Sequence, residues 1–178
     1  VNRKPEVNGE RKILPLDSAS GVKVMSIGFF VEDNSAVVWR GPMLHKAIQQ
    51  FLEDVAWDEL EYLLLDLPPG TGDVALTISQ KLRTTGAVIV TTPQEVALQD
   101  VYKSVSMAQK VGITLLGVVE NESYFVCDGC TKRHELFGSG GGQRIAEFAE
   151  APLLGCGYVD YPAGPAPQTG RTAAAAHM

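Results

Sequence analysis

The chain has 178 residues, 45% of them apolar, and carries a formal net charge of -6. Length and apolar content suit one domain with a real core. The acidic balance, with no lysine or arginine cluster to offset it, argues against a nucleic-acid backbone as partner, and no segment is long and apolar enough to span a membrane.

Three cysteines occur, Cys127, Cys130 and Cys156. An odd count with one close pair does not resemble a secreted disulfide framework, so a cytoplasmic setting is expected.

Taken in chain order, Val22–Phe30 (VKVMSIGFF) is an apolar run rich in β-formers and predicts a strand. Trp39-Arg40-Gly41-Pro42 reads as a turn into a helix, Pro42 suiting an early helical position. Leu44, Ala47, Ile48, Phe51, Leu52 and Val55 then recur at helical spacing. Tyr62–Leu67 (YLLLDL) is short, apolar and not alternating, which predicts a strand covered on both faces.

Pro68-Pro69-Gly70 ends that run, and a helix is expected from about Asp73 to Leu82. Ala87–Thr91 (AVIVT) predicts the next buried strand. Glu95–Lys110 predicts a helix with Val96, Val101, Val105 and Ala108 facing inward, closed by Gly112. Ile113–Val119 predicts a strand, residues 141–150 a helix, and Leu153-Leu154 the start of a last short strand. Such alternation implies an α/β fold with a mostly parallel sheet between helical layers.

Asp66 closes one expected strand and is followed by LPPGTGD. Ligands of parallel sheets bind beyond the carboxyl ends of the strands. A carboxylate there can orient water around Mg²⁺, and Gly70 and Gly72 let the backbone pass close to a γ-phosphate, as switch loops do. Asp73 could polarise water or cap the next helix. The plainer alternative is a turn-capping Asp66 and an ordinary N-cap at Asp73.

Asn121 sits at another expected strand exit, where an amide can pair with an adenine edge or simply form a turn. Pro93 and Gln94 occupy the exit of AVIVT and could border the same base pocket. Arg40 and Lys103 could contact phosphate or a partner and read at least as well as solvated charges; His45 reads as a partly buried or exposed helix residue. No GxxxxGK[ST] phosphate loop occurs, and Gly138–Gly142 (GSGGG), followed by Gln143 and Arg144, is no substitute.

Cys127-Asp128-Gly129-Cys130 places two thiols where both can reach one soft ion, zinc or iron–sulfur. One pair supplies two ligands where four are wanted, so two chains meeting across a symmetry axis would complete the set. A redox dithiol and inert surface cysteines are the alternatives. His134 lies nearby in sequence; Cys156 reads as a core residue.

The stretches VKVMSIGFF, WRGPM, QFLEDVAW, LEYLLLDLPPGTGD, LTISQ, GAVIVTTPQEVALQD, GVVENESYFVCDGC and ELFGSGG, in this order, resemble the Mrp/ApbC family of iron–sulfur cluster carrier ATPases, relatives of MinD-type P-loop proteins. The resemblance implies a truncated MinD-like fold in which residues 1–159 are the C-terminal portion of a P-loop NTPase domain. The chain pattern itself marks a cysteine-bearing insertion at about 122–140 and a Pro/Ala-rich tail over 160–178, part of which could be an added linker. The resemblance implies that Asp66 is the Mg²⁺-supporting Walker B aspartate and that Gly70, Thr71, Gly72 and Asp73 form the second switch. Asn121 would lie near adenine, and Cys127 and Cys130 would hold a labile [4Fe-4S] cluster between the subunits of a homodimer.

ATP with Mg²⁺ would be the nucleotide cofactor, zinc the alternative to the cluster. Apo iron–sulfur proteins and cluster-assembly factors would be the partners, with neither nucleic acid nor membrane. The phosphate loop and first switch of the family have no counterpart here and are expected upstream of Val1, so this stretch alone is expected to lack ATPase activity. Glu122 stands where the family often has methionine. A zinc-linked binding or scaffold module and a MinD-like protein-positioning ATPase are the competing functions.

Overall fold

The computed structural model describes residues 5–30, 41–67, 72–127 and 129–159, the side chains of Gly41, Pro42, Leu44, Gly72 and Asp73 excepted. The chain forms two compact units, Val1–Leu67 and Pro68–Met178.

In the first unit, β1 (Leu16–Asp17) and β2 (Lys23–Val24) form a short antiparallel ladder. A 3-10 turn follows at Ile27–Phe30, so the single strand expected over Val22–Phe30 is cut to two residues. Helix α1 (Gly41–Glu53) follows the expected apolar periodicity. It buries Ala47, and Val55 just beyond its end is also buried. The Trp57 indole N–H donates to the Phe51 carbonyl (2.7 Å), and Ile13 bridges to Val55, tying the chain after α1 back to the start of the unit.

Tyr62–Leu67 is not the buried strand that its composition predicts. It has no regular structure; Tyr62 is 83% and Leu64 89% exposed, and Asp66 is exposed as well. The reason is topological. A strand buried on both faces needs neighbours at its edges and layers above and below. Among the described residues of this unit, the ladders are the two-residue β1–β2 pair and isolated bridges.

The second unit carries the sheet. Helix α2 (Gly72–Lys81) buries Val74, Thr77 and Ile78. Strand β3 (Ala87–Thr91), helix α3 (Glu95–Lys110), β4 (Leu115–Val126), β5 (Arg133–His134), α4 (Gly141–Ala149) and β6 (Leu153–Val159) follow. β4 lies between β3 and β6, parallel to both, and its far end also pairs antiparallel with β5. The fold is therefore α/β with a mixed, mostly parallel sheet.

Leu98 and Val105 of α3, Val118 of β4 and Ile145, Ala146 and Ala149 of α4 make the core, with Ile89, Leu115 and Leu153 packed against it. Side chains alternate along a strand, so Val88, Val90 and Leu154, beside those inward residues, are exposed. Val96 departs from expectation by being exposed. The inward stripe of α3 runs through Leu98, Val101, Val105 and Ala108, and Val96 lies two residues off it, about 200° around the helix.

Candidate functional site

Strand β4 organises the site. Its first half is a core strand whose pairing with β3 ends at Thr91↔Glu120. Its pairing with β6 is interrupted after Glu120 and resumes at Tyr124↔Tyr158. The irregularity centres on Glu122, which takes a left-handed backbone (φ 54°). There the Ser123 hydroxyl donates to the Glu120 carbonyl (2.9 Å). Beyond it β4 runs on as an arm through Val126 rather than ending near Val119 as expected, because β5 folds back on it (Phe125↔His134, Val126↔Arg133).

The cysteine pair caps this arm. The Cys127 N–H donates to the Lys132 carbonyl (3.0 Å), and the Thr131 N–H donates to the Cys127 carbonyl (2.7 Å). A tight knuckle results, with Thr131 left-handed (φ 58°) and its hydroxyl donating to the Cys130 carbonyl. Cys127 is half-buried and Cys130 exposed; neither is in a disulfide. Among the described residues no group of three or more His, Cys, Asp or Glu is placed to hold a metal. The His134 ring lies against Phe125 at 6.2 Å between centroids. Two thiols are half of what a tetrahedral thiolate site takes.

Cys156, expected in the core, is exposed on β6. Among the described residues β6 pairs with β4 alone, so it is an edge strand, and an apolar sequence context does not reveal which face of such a strand is covered.

The carboxyl ends of β3 and β4 meet the start of α4. Pro93 is buried after β3, and Gln94 is exposed at the N-cap of α3 without a side-chain cap. A Cβ on Gly141 would come within 2.9 Å of the Pro93 Cα, and one on Gly142 within 2.6 Å of the Glu120 Cβ. The Glu120 carboxylate, 3% exposed, accepts the Gly142 N–H at 2.5 Å. Asn121, half-buried on β4, lies over Gly157, where an added Cβ would come 2.8 Å from its Oδ1.

Pro93 and Asn121 thus both lie near the point where the β3–β4 pairing ends. Gly72 opens α2, the side chain of Asp73 lies outside the described set, and Gly70 and Thr71 are outside the described residues, as are Arg40, Asp128 and the tail from 160.

Glu120 belongs to none of the motifs singled out in the sequence, and the glycine run stands there only as something other than a phosphate loop. The signal was present: consecutive glycines directly before an amphipathic helix mark a close backbone approach, and a carboxylate ending a buried strand can satisfy the unpaired N–H groups there. On the outer side of α4, Arg144 pairs with Glu95 at 2.8 Å. The Glu95 hydrogen bond and charge hold that guanidinium above its usual range.

Comparisons with known proteins agree with this architecture. Residues 1–177 match the family model described as ParA, NUBPL iron-transfer P-loop NTPase. An iron–sulfur cluster carrier protein of Deinococcus radiodurans is 51% identical over 83% of this chain and 41% of its own length. A cytosolic Fe-S cluster assembly factor, Nubp2 homolog, of Anopheles gambiae is 52% identical over 83% of this chain and 59% of its own. A nucleotide-binding protein of Archaeoglobus fulgidus, solved in complex with ADP and with cobalt found in it, superposes with a TM-score of 0.67. It shows 38% identity over 90% of this chain and 60% of that one. The chain thus spans about two-fifths to three-fifths of the relatives it matches, and it belongs to the ParA-type NUBPL iron-transfer P-loop NTPase family.

Proposed function

We propose that this chain is the cluster-holding portion of an iron–sulfur cluster carrier that works in the cytoplasm. In the complete protein Cys127 and Cys130 of two identical subunits would grip one labile [4Fe-4S] cluster and pass it to apo iron–sulfur proteins. The observation that carries the reading is the knuckle. Two thiols sit at the tip of an arm, exposed or half-buried, with no third donor group among the described residues. Soft thiolates in an incomplete set suit a transferable soft-metal cargo. The naming of relatives as cluster carriers and assembly factors supports it.

The nucleotide part of the proposal rests on Asp66, Gly70, Thr71, Gly72 and Asp73 for Mg-ATP, and on Asn121, Pro93 and Gln94 for the base. Its support is the ADP-bound relative and the position of Pro93 and Asn121 at one end of the sheet. The sequence holds no lysine-bearing phosphate loop, and that lysine with its backbone cradle is what stabilises phosphoryl transfer. This chain alone is therefore expected to show no appreciable ATPase activity.

Anaerobic reconstitution with iron and sulfide tests the cargo. A broad absorption near ~400 nm from thiolate-to-cluster charge transfer is expected in the wild type and is expected to be lost in Cys127→Ser/Cys130→Ser. Uptake of stoichiometric zinc without any cluster would overturn the carrier reading in favour of a zinc-linked scaffold.

A further inference from the structure

The ladder between β4 and β5 has only two residue pairs. β4 itself is held on its other edge by β6 as far as Phe125↔Val159, so β5 is a two-residue edge strand laid on an anchored partner. The Cys127 N–H is held by the carbonyl of Lys132, the residue directly before β5. Two backbone pairs are a short hold for an edge strand, and a cross-strand side-chain contact adds to them. The Arg133 guanidinium lies over the Tyr124 ring, its central carbon 3.6 Å from the ring centroid. Tyr124 is anchored in turn: it pairs with Tyr158 of β6, with ring centroids 6.1 Å apart. A continuous stack thus runs from the sheet through Tyr158 and Tyr124 to Arg133, beside the thiol knuckle.

We propose that Arg133 is a positioning residue for the thiol pair, its guanidinium laid on Tyr124 pinning the return strand so that Cys127 and Cys130 are presented together to a soft metal. The inference rests on the carrier reading of the cysteine pair and extends it to residues that touch no metal. Arginine suits the role because its planar guanidinium covers an aromatic face, which a lysine ammonium does not. The stack costs little to break for the fold as a whole, because Arg133 is exposed and the core lies elsewhere.

Cobalt(II) added anaerobically to the reduced chain provides the probe, read by thiolate-to-cobalt charge-transfer absorption, with thermal unfolding measured alongside. Arg133→Gln and Tyr124→Leu are each expected to weaken cobalt binding about tenfold, the scale of residues that orient ligands without binding the metal. The double variant is expected to be no weaker than either single one, since both break the same contact. Tyr124→Phe, which keeps the ring face, retains wild-type affinity, and Arg133→Lys recovers only part of it. The melting temperature of Arg133→Gln stays at the wild-type value, and this variant carries the test if Tyr124→Leu fails to fold.

Wild-type affinity in Arg133→Gln, additive losses in the double variant, or full recovery in Arg133→Lys would each overturn the stacked brace, the last by showing that charge alone suffices. If the wild type itself takes up neither cobalt nor a cluster, the carrier reading fails and the brace with it. If the wild type binds and Arg133→Gln binds equally, only the brace fails.

Discussion

Ala87–Thr91 and Tyr62–Leu67 look alike as sequence: short, apolar and ended by a polar residue or a turn. One is a strand and the other is not. β3 pairs in parallel with β4 along its whole length, and Ile89 packs on the core formed by α3 and α4. Tyr62–Leu67 belongs to a unit with no comparable sheet among its described residues, and its leucines stand in solvent. Apolar composition therefore states a demand for burial, and the surrounding elements decide whether it is met. For Asp66 the consequence is direct. Asp66 is exposed at the end of that run, so its proposed work with Mg²⁺ rests on the sequence pattern and not on a formed strand.

Several measurements sharpen this contrast. The largest effect is expected on the satisfied side: Leu98→Ala, at a fully buried core position, should cost about 2–5 kcal/mol in urea unfolding. Gly142→Ala forces a Cβ against Glu120 and should cost about 1–3 kcal/mol by the same measurement, as overpacking does.

Glu120→Ala removes the acceptor of the Gly142 N–H. An orphaned buried donor is expected to cost about 1–2 kcal/mol, and Glu120→Gln, which keeps an acceptor oxygen, should recover most of that loss. On the unsatisfied side, Leu64→Ser should change stability by no more than about 0.5 kcal/mol, like other exposed positions, while lowering self-association in analytical ultracentrifugation. A loss from Leu64→Ser as large as that from Leu98→Ala would break the comparison, because it would mean that Tyr62–Leu67 is buried in solution.

Much of the second unit was legible from periodicity. The bounds of β3 and α3 agree with the expected ones residue for residue, and α2 and α4 agree to within one residue at each end. The CxxC spacing marks the turn that carries the two thiols. The extension of β4 to Val126 was not legible, because ENESYFV carries no clean alternation and Glu122 takes a left-handed backbone within it. The brace of Arg133 on Tyr124 was equally hidden. They stand nine positions apart in sequence, and the pairing of β5 with β4 puts them together.

The chain order alone was enough for the helices of the second unit, since a helix satisfies its hydrogen bonds within itself. The three-dimensional arrangement settled which apolar runs became strands, why Gly142 must be a glycine, that Cys156 is exposed, and what steadies the thiol arm. Those outcomes depend on groups supplied by distant segments, and no local pattern records whether such a partner arrives.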